Sequence, residues 1–471
     1  MRTVRSRRRS YGAVLGITCA MVGALVGFQA SAQTVAITNA RVVVGDGSAP
    51  IENGTVVIRD GRIVAAGTGI SIPGDARRVD AAGNYVTPGL IAGFSRVGLV
   101  EVDATDASND ASANASPFSA AIDVSTAINP LAVAVSVNRS AGVTRAIVAP
   151  EAGRSMFGGQ GAVIDLGSDM QPITYARAFQ FVEFGEQGAR SAGGSRASAH
   201  ALFRNALREA RDLGRNSGIS GGTSPGRVDQ AVIPGESQPD ARLLSSDRRS
   251  RDVLLSRFDA AALVPVLQGR QILMVHVERA SDILQAIALR REFPALRMVF
   301  VGASEGWTVA REIAAARIPV IASALNDLPS SFEQLAATQS NVARMKAAGV
   351  DVSIGMINDN EARQVRLATQ YAGNLVAVGR LPGGTPMSWG EAFAAISSGP
   401  AEALGLGGQL GSLRAGRRAD VVIWDGDPLE SANPTMVMID GIEQPITNRQ
   451  TKLRDRYRNL DETQKPKAYD R

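Results

Sequence analysis

Alternating apolar and polar positions mark both ends of the chain. From Val35 the sequence reads VAITNARVVV and then TVVIRDGRIVAAG, and ADVVIWDGDP and MVMIDG repeat this texture near the C-terminus. Short β-branched runs broken by Asp-Gly and Asn-Gly pairs predict β-hairpins. Because two strand-rich ends flank a long middle, we expect a composite β-sandwich from residues 33–88 and 405–450, followed by a C-terminal tail over residues 451–471.

The middle of the chain, residues 89–404, alternates short apolar runs with helical stretches. This rhythm predicts an α/β fold with a parallel sheet, and a segment of this length predicts a (β/α)8 TIM barrel. A doubly wound open sheet is the alternative. Strands are predicted near 89–94, 143–149, 162–166, 272–277, 297–302, 319–322 and 350–355, and helices over 196–213, 281–292, 307–316 and 330–348.

Two glycine-rich stretches interrupt the barrel pattern. Residues 214–250 are rich in Gly, Ser, Arg, Asp and Pro and predict a flexible loop on the barrel. Residues 158–161 read Gly-Gly-Gln-Gly directly before an apolar run. Phosphate-binding loops follow a strand and open a helix, so we expect a tight turn there instead.

The N-terminal segment predicts export. Residues 1–32 contain arginines but no acid, an apolar run from Tyr11 to Phe28, and Ala30-Ser31-Ala32 before Gln33. This pattern is typical of a signal peptide that is removed from the mature protein. We therefore expect a periplasmic or secreted protein without a membrane anchor, exported by the Sec route or by the twin-arginine route that a pair of arginines suggests.

The positive charge of the chain belongs to this leader. The formal net charge is +5, from 50 Lys+Arg and 45 Asp+Glu, and residues 1–32 contribute five arginines. Without them the chain is neutral, which excludes the basic surface of a typical nucleic-acid-binding protein. The only cysteine is Cys19, within the leader, so the mature chain has no disulfide and no thiolate ligand.

Several sequence segments resemble those of the amidohydrolase superfamily, in particular those of its exported imidazolonepropionase- and prolidase-like members. They are the opening VAITNARVVVGDG, the IRDGRIVAAG turn, TPGLI at 87–91, HVERASDI at 276–283 and LGSLRAGRRADVVIWDGDPLE at 410–430. The resemblance implies a metal-bearing (β/α)8 barrel with a β-sandwich made from both chain ends. It also implies hydrolysis of C–N bonds in non-peptide amides, cyclic amides or dipeptide-like small molecules.

The metal ligands that this resemblance implies are mostly missing. In the family, TPGLI is followed by Asp-x-His-x-His, whose two imidazoles lie on one strand face and reach one metal. Phe94 and Arg96 take these two positions here, and Ile357 takes the position of a strand-eight aspartate. The family also uses a carboxylated lysine or a glutamate on strand four, whereas the first lysine of this chain is Lys346. Of the usual ligands, only His276 is retained.

The histidine count limits the chemistry further. The whole protein has two histidines, and a binuclear site of this kind needs more. A bound metal lowers the pKa of its water to about 7, and without one water stays too weak an acid to supply hydroxide at neutral pH. We therefore expect a degenerate metal site and no resident cofactor; the alternative is a single divalent metal such as zinc, which the family resemblance implies.

Four residues remain as candidates for chemistry at the barrel mouth. His276 and Glu278 share one strand face and form either a hydrogen-bonded pair or, with Asp359, a weak catalytic or metal site. Arg96 either binds a small carboxylate or phosphate through its two-pronged guanidinium, or forms a salt bridge with Glu278 or Glu101.

The sequence leads to one hypothesis on function and two alternatives. The hypothesis is an exported amidohydrolase-superfamily protein, of the C–N bond hydrolase lineage, in which metal-dependent hydrolysis is weak, atypical or lost. The first alternative is a non-catalytic pocket protein, or pseudoenzyme, that binds a small anionic ligand. The second is a structural subunit, either in a homo-oligomer or beside an active, related amidohydrolase. No nucleic-acid partner is expected.

Overall fold

A computed structural model describes residues 34–102, 105–216, 254–357 and 362–458. The predicted signal peptide (1–32), residue 359 and the end of the predicted tail (459–471) lie outside the described residues, as does most of the predicted loop 214–250. Residues 214–216 of that loop belong to a helix that ends at Asn216.

The elements are numbered in chain order. The strands are β1 (Val35–Val42), β2 (Ile51–Arg59), β3 (Arg62–Gly67), β4 (Arg77–Asp80), β5 (Tyr85–Pro88), β6 (Leu90–Ser95), β7 (Val143–Val148), β8 (Phe157–Asp165), β9 (Ile173–Glu183), β10 (Ile272–Val277), β11 (Met298–Gly302), β12 (Val320–Ala322), β13 (Val352–Ile354), β14 (Val421–Trp424), β15 (Pro434–Ile439) and β16 (Ile442–Glu443). The helices are α1 (Val133–Arg139), α2 (Glu186–Ser191), α3 (Arg196–Asn216), α4 (Arg257–Leu267), α5 (Ala280–Ala288), α6 (Ala310–Ala316), α7 (Asn341–Ala347), α8 (Ala368–Ala377), α9 (Trp389–Ala394), α10 (Ser398–Ala403) and α11 (Arg449–Arg458).

Strands from the two ends of the chain form one composite sheet. Its order is β16-β15-β14-β5-β1-β2-β3, with β4 beside β1. β5 pairs antiparallel with β14, and Thr87 lies opposite Val422, so the N- and C-terminal segments become one β-domain. Alternate apolar side chains such as Ile37, Val56 and Val421 pack together as the core of this domain.

The other eight strands form a barrel in the order β13-β12-β11-β10-β9-β8-β7-β6. The Met356 backbone N–H, just after β13, donates to the Phe94 carbonyl of β6 at 3.2 Å, which brings the first and last strands together. The predicted fold class, a barrel with a composite β-domain, is confirmed. The expected helix 330–348 is shorter than predicted, because only α7 is helical and the residues before it form a loop.

One barrel strand differs from the all-parallel expectation. β8 runs antiparallel to both β7 and β9, so these three strands form a meander without crossover helices. The tight turn expected at residues 158–161 is wrong, because these residues lie inside β8. Their glycines have a packing reason: a Cβ on Gly161 would overlap the Phe179 ring of β9, at 2.0 Å from its nearest atom. β9 itself is absent from the predicted strands.

Apolar side chains fill the barrel interior. Phe94, Phe179 and Phe181 pack there with aliphatic residues of the other strands, and the rings of Phe94 and Phe181 are 5.6 Å apart. Since interiors of this kind are close-packed, these side chains form an apolar floor below the barrel mouth. Polar chemistry is therefore confined to the strand ends above this layer.

A buried arginine joins the barrel to the composite sheet. The Arg145 side chain, on β7, is fully buried and donates from Nε and Nη2 to the carboxylate of Asp420 at 2.8 and 2.9 Å. Its Nη2 also lies 2.9 Å from Asp440. Because Asp420 precedes β14 and Asp440 follows β15, this bidentate pairing fixes the C-terminal strands against the barrel.

Helices cover the outside of the barrel. The predicted helix 196–213 is observed as α3, and the Ser388–Glu391 capping box opens α9. Within the described residues, we find no helix with the length and apolar character required to span a lipid bilayer.

Candidate active site

Two neighbouring barrel strands bring three polar side chains together at the barrel mouth. β9 ends at Glu183, and this residue lies opposite His276 in the register of the parallel β9–β10 pair. Glu278 lies two residues after His276, so its side chain points to the same side of the chain. Of the three residues, only Glu183 was not predicted, because β9 was not recognised as a strand.

His276 lies between the two carboxylates. Its Nδ1 is 2.6 Å from Glu183 Oε2, and its Nε2 is 3.1 Å from Glu278 Oε1. Ionised carboxylates only accept hydrogen bonds, so both ring nitrogens donate, and a histidine that donates from both nitrogens is an imidazolium. We call these three residues the Glu–His–Glu clamp.

The electrostatics of the clamp favour the charged forms of His276 and Glu278. Burial alone lowers the pKa of His276, but the charge of Glu183 and the hydrogen bonds to Glu183 and Glu278 outweigh it and hold this pKa well above its ordinary value. Burial alone raises the pKa of Glu278, whereas the hydrogen bonds from His276 and Ser304 lower it overall. The clamp is therefore an ion pair at neutral pH.

The end of β11 supports the clamp from the other side. The Ser304 backbone N–H donates to Glu278 Oε2 at 2.8 Å, and Asn326 Nδ2 donates to Ser304 Oγ at 2.9 Å. Gly302 has a left-handed φ of +88°, and a Cβ there would lie 2.4 Å from Glu278 Oε1. A glycine is thus required at this position for both its backbone conformation and its lack of a side chain.

Further charged residues, Glu333, Arg196 and Asp282, form a hydrogen-bonded group near the clamp. Glu333, in the loop between β12 and α7, accepts a hydrogen bond from the Glu186 backbone N–H at 2.6 Å and one from Arg196 Nη2 at 3.3 Å. Burial is the main cause that raises the pKa of Glu333, and the nearby negative charge of Glu278 adds to it. Arg196 also bonds Asp282 at 2.8 Å, which ties this loop to α3 and α5.

The structure places the remaining predicted residues apart from the clamp. Phe94 and Ile357 belong to the apolar packing of the barrel interior. Arg96 follows β6 and is only 7% exposed, which leaves little guanidinium surface for a ligand. The Glu278 carboxylate, one expected partner of Arg96, instead contacts His276 and Ser304.

The other expected partner of Arg96 is engaged as well. The Glu101 carboxylate accepts from Asn129 Nδ2 at 3.0 Å and from the Val133 backbone N–H at 3.4 Å. Asp359, the third candidate for a weak metal site, lies outside the described residues. The roles predicted for Arg96 and Asp359 stay predictions.

A cavity of about 300 Å³ lies elsewhere in the molecule, among residues that do not belong to the clamp. Ser191 at the end of α2, Phe118, Phe157 and Leu255 contribute to its wall, and Asp259 lies at its edge. Asp259 Oδ1 accepts two backbone N–H groups at 2.8 Å, from residues 119 and 121, so this carboxylate is used by the protein itself. The clamp residues do not line this cavity.

Comparisons with known proteins agree with this architecture. Residues 274–443, which include His276 and Glu278, match the amidohydrolase family. This match supports the resemblance of the chain to the amidohydrolase superfamily. A structure of an amidohydrolase from Thermotoga maritima MSB8 superposes with a TM-score of 0.71 at 22% identity, over 88% of this chain and 100% of that chain, and shows the shared fold.

Two relatives in the superfamily align with most of the chain. The amidohydrolase tasK of Hapsidospora irregularis is 24% identical over 424 residues, which are 84% of this chain and 40% of that protein. The imidazolonepropionase of Maricaulis maris (strain MCS10) is 27% identical over 405 residues, which are 82% of this chain and 90% of that protein. The chain thus spans less than half the length of the first relative.

The barrel strand count extends the superfamily comparison to Glu183. β9 is the fourth barrel strand, and the resemblance implies a carboxylated lysine or a glutamate on strand four. Glu183 is therefore a ligand-type side chain on the strand where the resemblance implies one, and the expectation that only His276 is retained stays a prediction. The first strand still carries Phe94 and Arg96 in place of the two imidazoles.

The clamp geometry does not fit a metal centre of this superfamily. Glu183 and Glu278 contact opposite nitrogens of the His276 ring. A metal bound to either nitrogen would therefore have only one of the two carboxylates beside it, which is too few ligands for zinc. Across the part of the chain that the structure describes, no three His, Cys, Asp or Glu side chains are grouped so as to hold a metal ion.

Proposed function

We propose that this chain is an exported member of the amidohydrolase superfamily in which metal-dependent hydrolysis of C–N bonds is weak or lost. The observation that carries the proposal is the Glu–His–Glu clamp, in which both nitrogens of His276 are hydrogen-bonded to carboxylates. A nitrogen that carries a proton has no lone pair for a metal. His276, which matches a metal-ligand position of the superfamily, thus has both ring nitrogens bonded to carboxylates of the protein itself.

The residues around the clamp support the same conclusion. Phe94 presents a ring at the first-strand ligand position and packs into the apolar floor. The neighbouring Arg96 is a permanent cation that would repel a metal ion. A metal that activates water would therefore lack both its usual first-strand ligands and the lone pairs of His276.

The proposal is tested on the purified mature protein by metal content and by the protonation of His276. After dialysis against a chelator and then against zinc, we expect less than one ion per chain and no zinc-dependent hydrolysis of dipeptides or cyclic amides. In ¹⁵N-histidine NMR spectra at pH 8, we expect both ring nitrogens of His276 to carry protons. Because the chain has only two histidines, the His200→Gln variant assigns the signals.

Two results would contradict the proposal. One is a tightly held stoichiometric ion whose removal abolishes hydrolysis and whose return restores it. The other is a neutral His276 whose ring signals shift when zinc is added. Either result would show that the clamp opens to coordinate a metal and that the chain has kept the hydrolytic chemistry of its relatives.

A second candidate, a partner subunit of an active amidohydrolase, is favoured by an apolar surface on the loop that carries Glu333. Leu328, Phe332 and Leu335 are 81%, 83% and 65% exposed within eight residues of sequence. Clusters of exposed apolar side chains are typical of protein–protein contacts. We expect co-purification from the native source to yield an amidohydrolase-like chain with an intact His-x-His pair, and Leu328→Ser with Phe332→Ser to release it. A homo-oligomer, or a monomer unaffected by these changes, would refute this candidate.

A further inference from the structure

The C-terminal helix α11 carries a concentrated positive charge far along the chain from the clamp. Its sequence, RQTKLRDRYR, has five basic residues and one acid, and none of its side chains is buried. The acid, Asp455, is paired with the adjacent Arg454 at 2.8 Å. The other four basic residues of α11 are exposed as well.

Three of these cations share one face of α11. At about 100° per residue, Arg449, Lys452 and Arg456 lie within roughly 60° of one another. This face borders an open recess of about 460 Å³ between α11 and α1. Ser136 of α1 and Thr447 also line the recess and add hydroxyl groups to its wall.

The recess is fixed in shape by the cap of α11. The Asn448 side chain accepts from the Thr451 backbone N–H at 3.0 Å and donates to Ser140 Oγ, at the end of α1, at 2.6 Å. These bonds hold the first turn of α11 against α1. Among the described residues, neither Arg449 nor Lys452 donates a side-chain hydrogen bond or forms an ion pair. Both therefore offer free donors at the recess.

A buried cation lies one turn from Ser136. Arg139 is 6% exposed and donates to the carbonyls of Leu166, Gly167 and Pro445 at 2.9, 3.0 and 3.2 Å. Within the described part of the chain it has no carboxylate partner, and burial lowers the pKa of its guanidinium. Arg139 does not line the recess, but its charge adds to the positive potential on this side of α1.

We propose that the recess between α1 and α11 binds a phosphate group. Phosphate carries up to two negative charges and several acceptor oxygens, and it suits converging Arg and Lys donors with nearby hydroxyls. A carboxylate would use fewer of these donors. The phosphate group belongs either to a free small molecule or to a lipid headgroup, and the two sources differ only in what the phosphate is attached to.

The test compares two charge-matched variants of the mature protein. The recess variant is Arg449→Gln with Lys452→Gln, and the control is Arg454→Gln with Arg458→Gln, which removes the same charge from other faces of α11. The probes are inorganic phosphate, followed by calorimetry, and vesicles of phosphatidylglycerol or phosphatidylcholine, followed by sedimentation. All measurements use 0.15 M salt, where unspecific attraction between exposed charges is screened beyond about 8 Å.

We expect a probe to bind wild type and control equally and the recess variant at least about tenfold more weakly. If inorganic phosphate binds to the three proteins in this way, the source of the phosphate group is a free phosphate compound. If only phosphatidylglycerol vesicles bind in this way and inorganic phosphate does not, the source is a lipid headgroup. Equal weakening by the two variants would overturn the proposal, because it would show general charge attraction. Failure of both probes to bind wild type would overturn it as well.

Discussion

The Glu–His–Glu clamp makes protein stability depend on pH in a way that a single substitution should remove. We consider His276→Gln, which keeps a similar volume and a hydrogen-bond donor but cannot carry charge. In the variant, Glu183 and Glu278 lose a shared cation, and the glutamine amide cannot donate from two opposite nitrogens. The two carboxylates then remain close to each other without a charge between them.

The structure sets the size of the effect. The three side chains are 22%, 11% and 5% exposed for His276, Glu183 and Glu278, so the pair is mostly desolvated. Hydrogen bonds to charged groups contribute about 1.5–3 kcal/mol each, and removal of one partner of a buried ion pair costs about 3–5 kcal/mol. We expect His276→Gln to lower the free energy of unfolding by about 3 kcal/mol at pH 6.

The sign of the pH dependence follows from the raised pKa of His276. The folded protein holds a proton on His276 at pH values where the unfolded chain has released it, that is, above about 6.5. Stability from the clamp is therefore complete below that pH and falls, by up to about 1.4 kcal/mol per pH unit, as the pH rises toward the folded pKa. In His276→Gln this fall is absent.

The assay is the melting temperature of wild type and variant between pH 6 and 9. His200→Gln is the matched control, because burial lowers the pKa of His200, and its linkage lies below about pH 6.5. The control should keep the wild-type slope. An equal slope in wild type and His276→Gln, or an unchanged melting temperature at pH 6, would refute the charged clamp.

Two further substitutions test the structure away from the titration. Gly302→Ala should lower the free energy of unfolding by about 2–4 kcal/mol, because the left-handed φ is strained and Glu278 is displaced. Gly349→Ala has the same φ of +88° but no atom near its Cβ, so it should lose only the part that comes from the backbone. Equal losses in a melting assay would refute the contact between the new Cβ and Glu278. Arg145→Met should destabilise by about 3–5 kcal/mol, because it leaves the buried Asp420 carboxylate without its cation. Arg454→Met, in an exposed pair, should change stability by less than about 1 kcal/mol. Similar denaturation curves for the two variants would contradict this reasoning.

Periodicity predicted most of the fold, and local packing explains where it failed. The hairpin texture of both termini and the strand–helix rhythm after residue 270 correspond to the composite sheet and to β10–β13. The turn predicted at residues 158–161 was wrong because glycine is disfavoured in strands. In β8 the glycines are tolerated because Phe179 of β9 fills the space that side chains would occupy.

The candidate site was predicted only in part, for a related reason. His276 and Glu278 are two residues apart in sequence, so strand alternation alone places them together. Glu183 is 93 residues away from His276 in sequence, and only the pairing of β9 with β10 brings it there. The sequence does contain a signal for Glu183: Phe179, Phe181 and Glu183 are two residues apart, as side chains on one face of a strand are.

The meander of β7, β8 and β9 has a consequence for how the chain folds. Parallel neighbours must wait for a long crossover to close, whereas antiparallel neighbours join through short connections and pay little loop entropy. These three strands are contiguous in sequence. We expect them to nucleate the barrel early, with β10 adding to a preformed edge, so that hydrogen exchange in refolding intermediates should first protect the amides of residues 157–183.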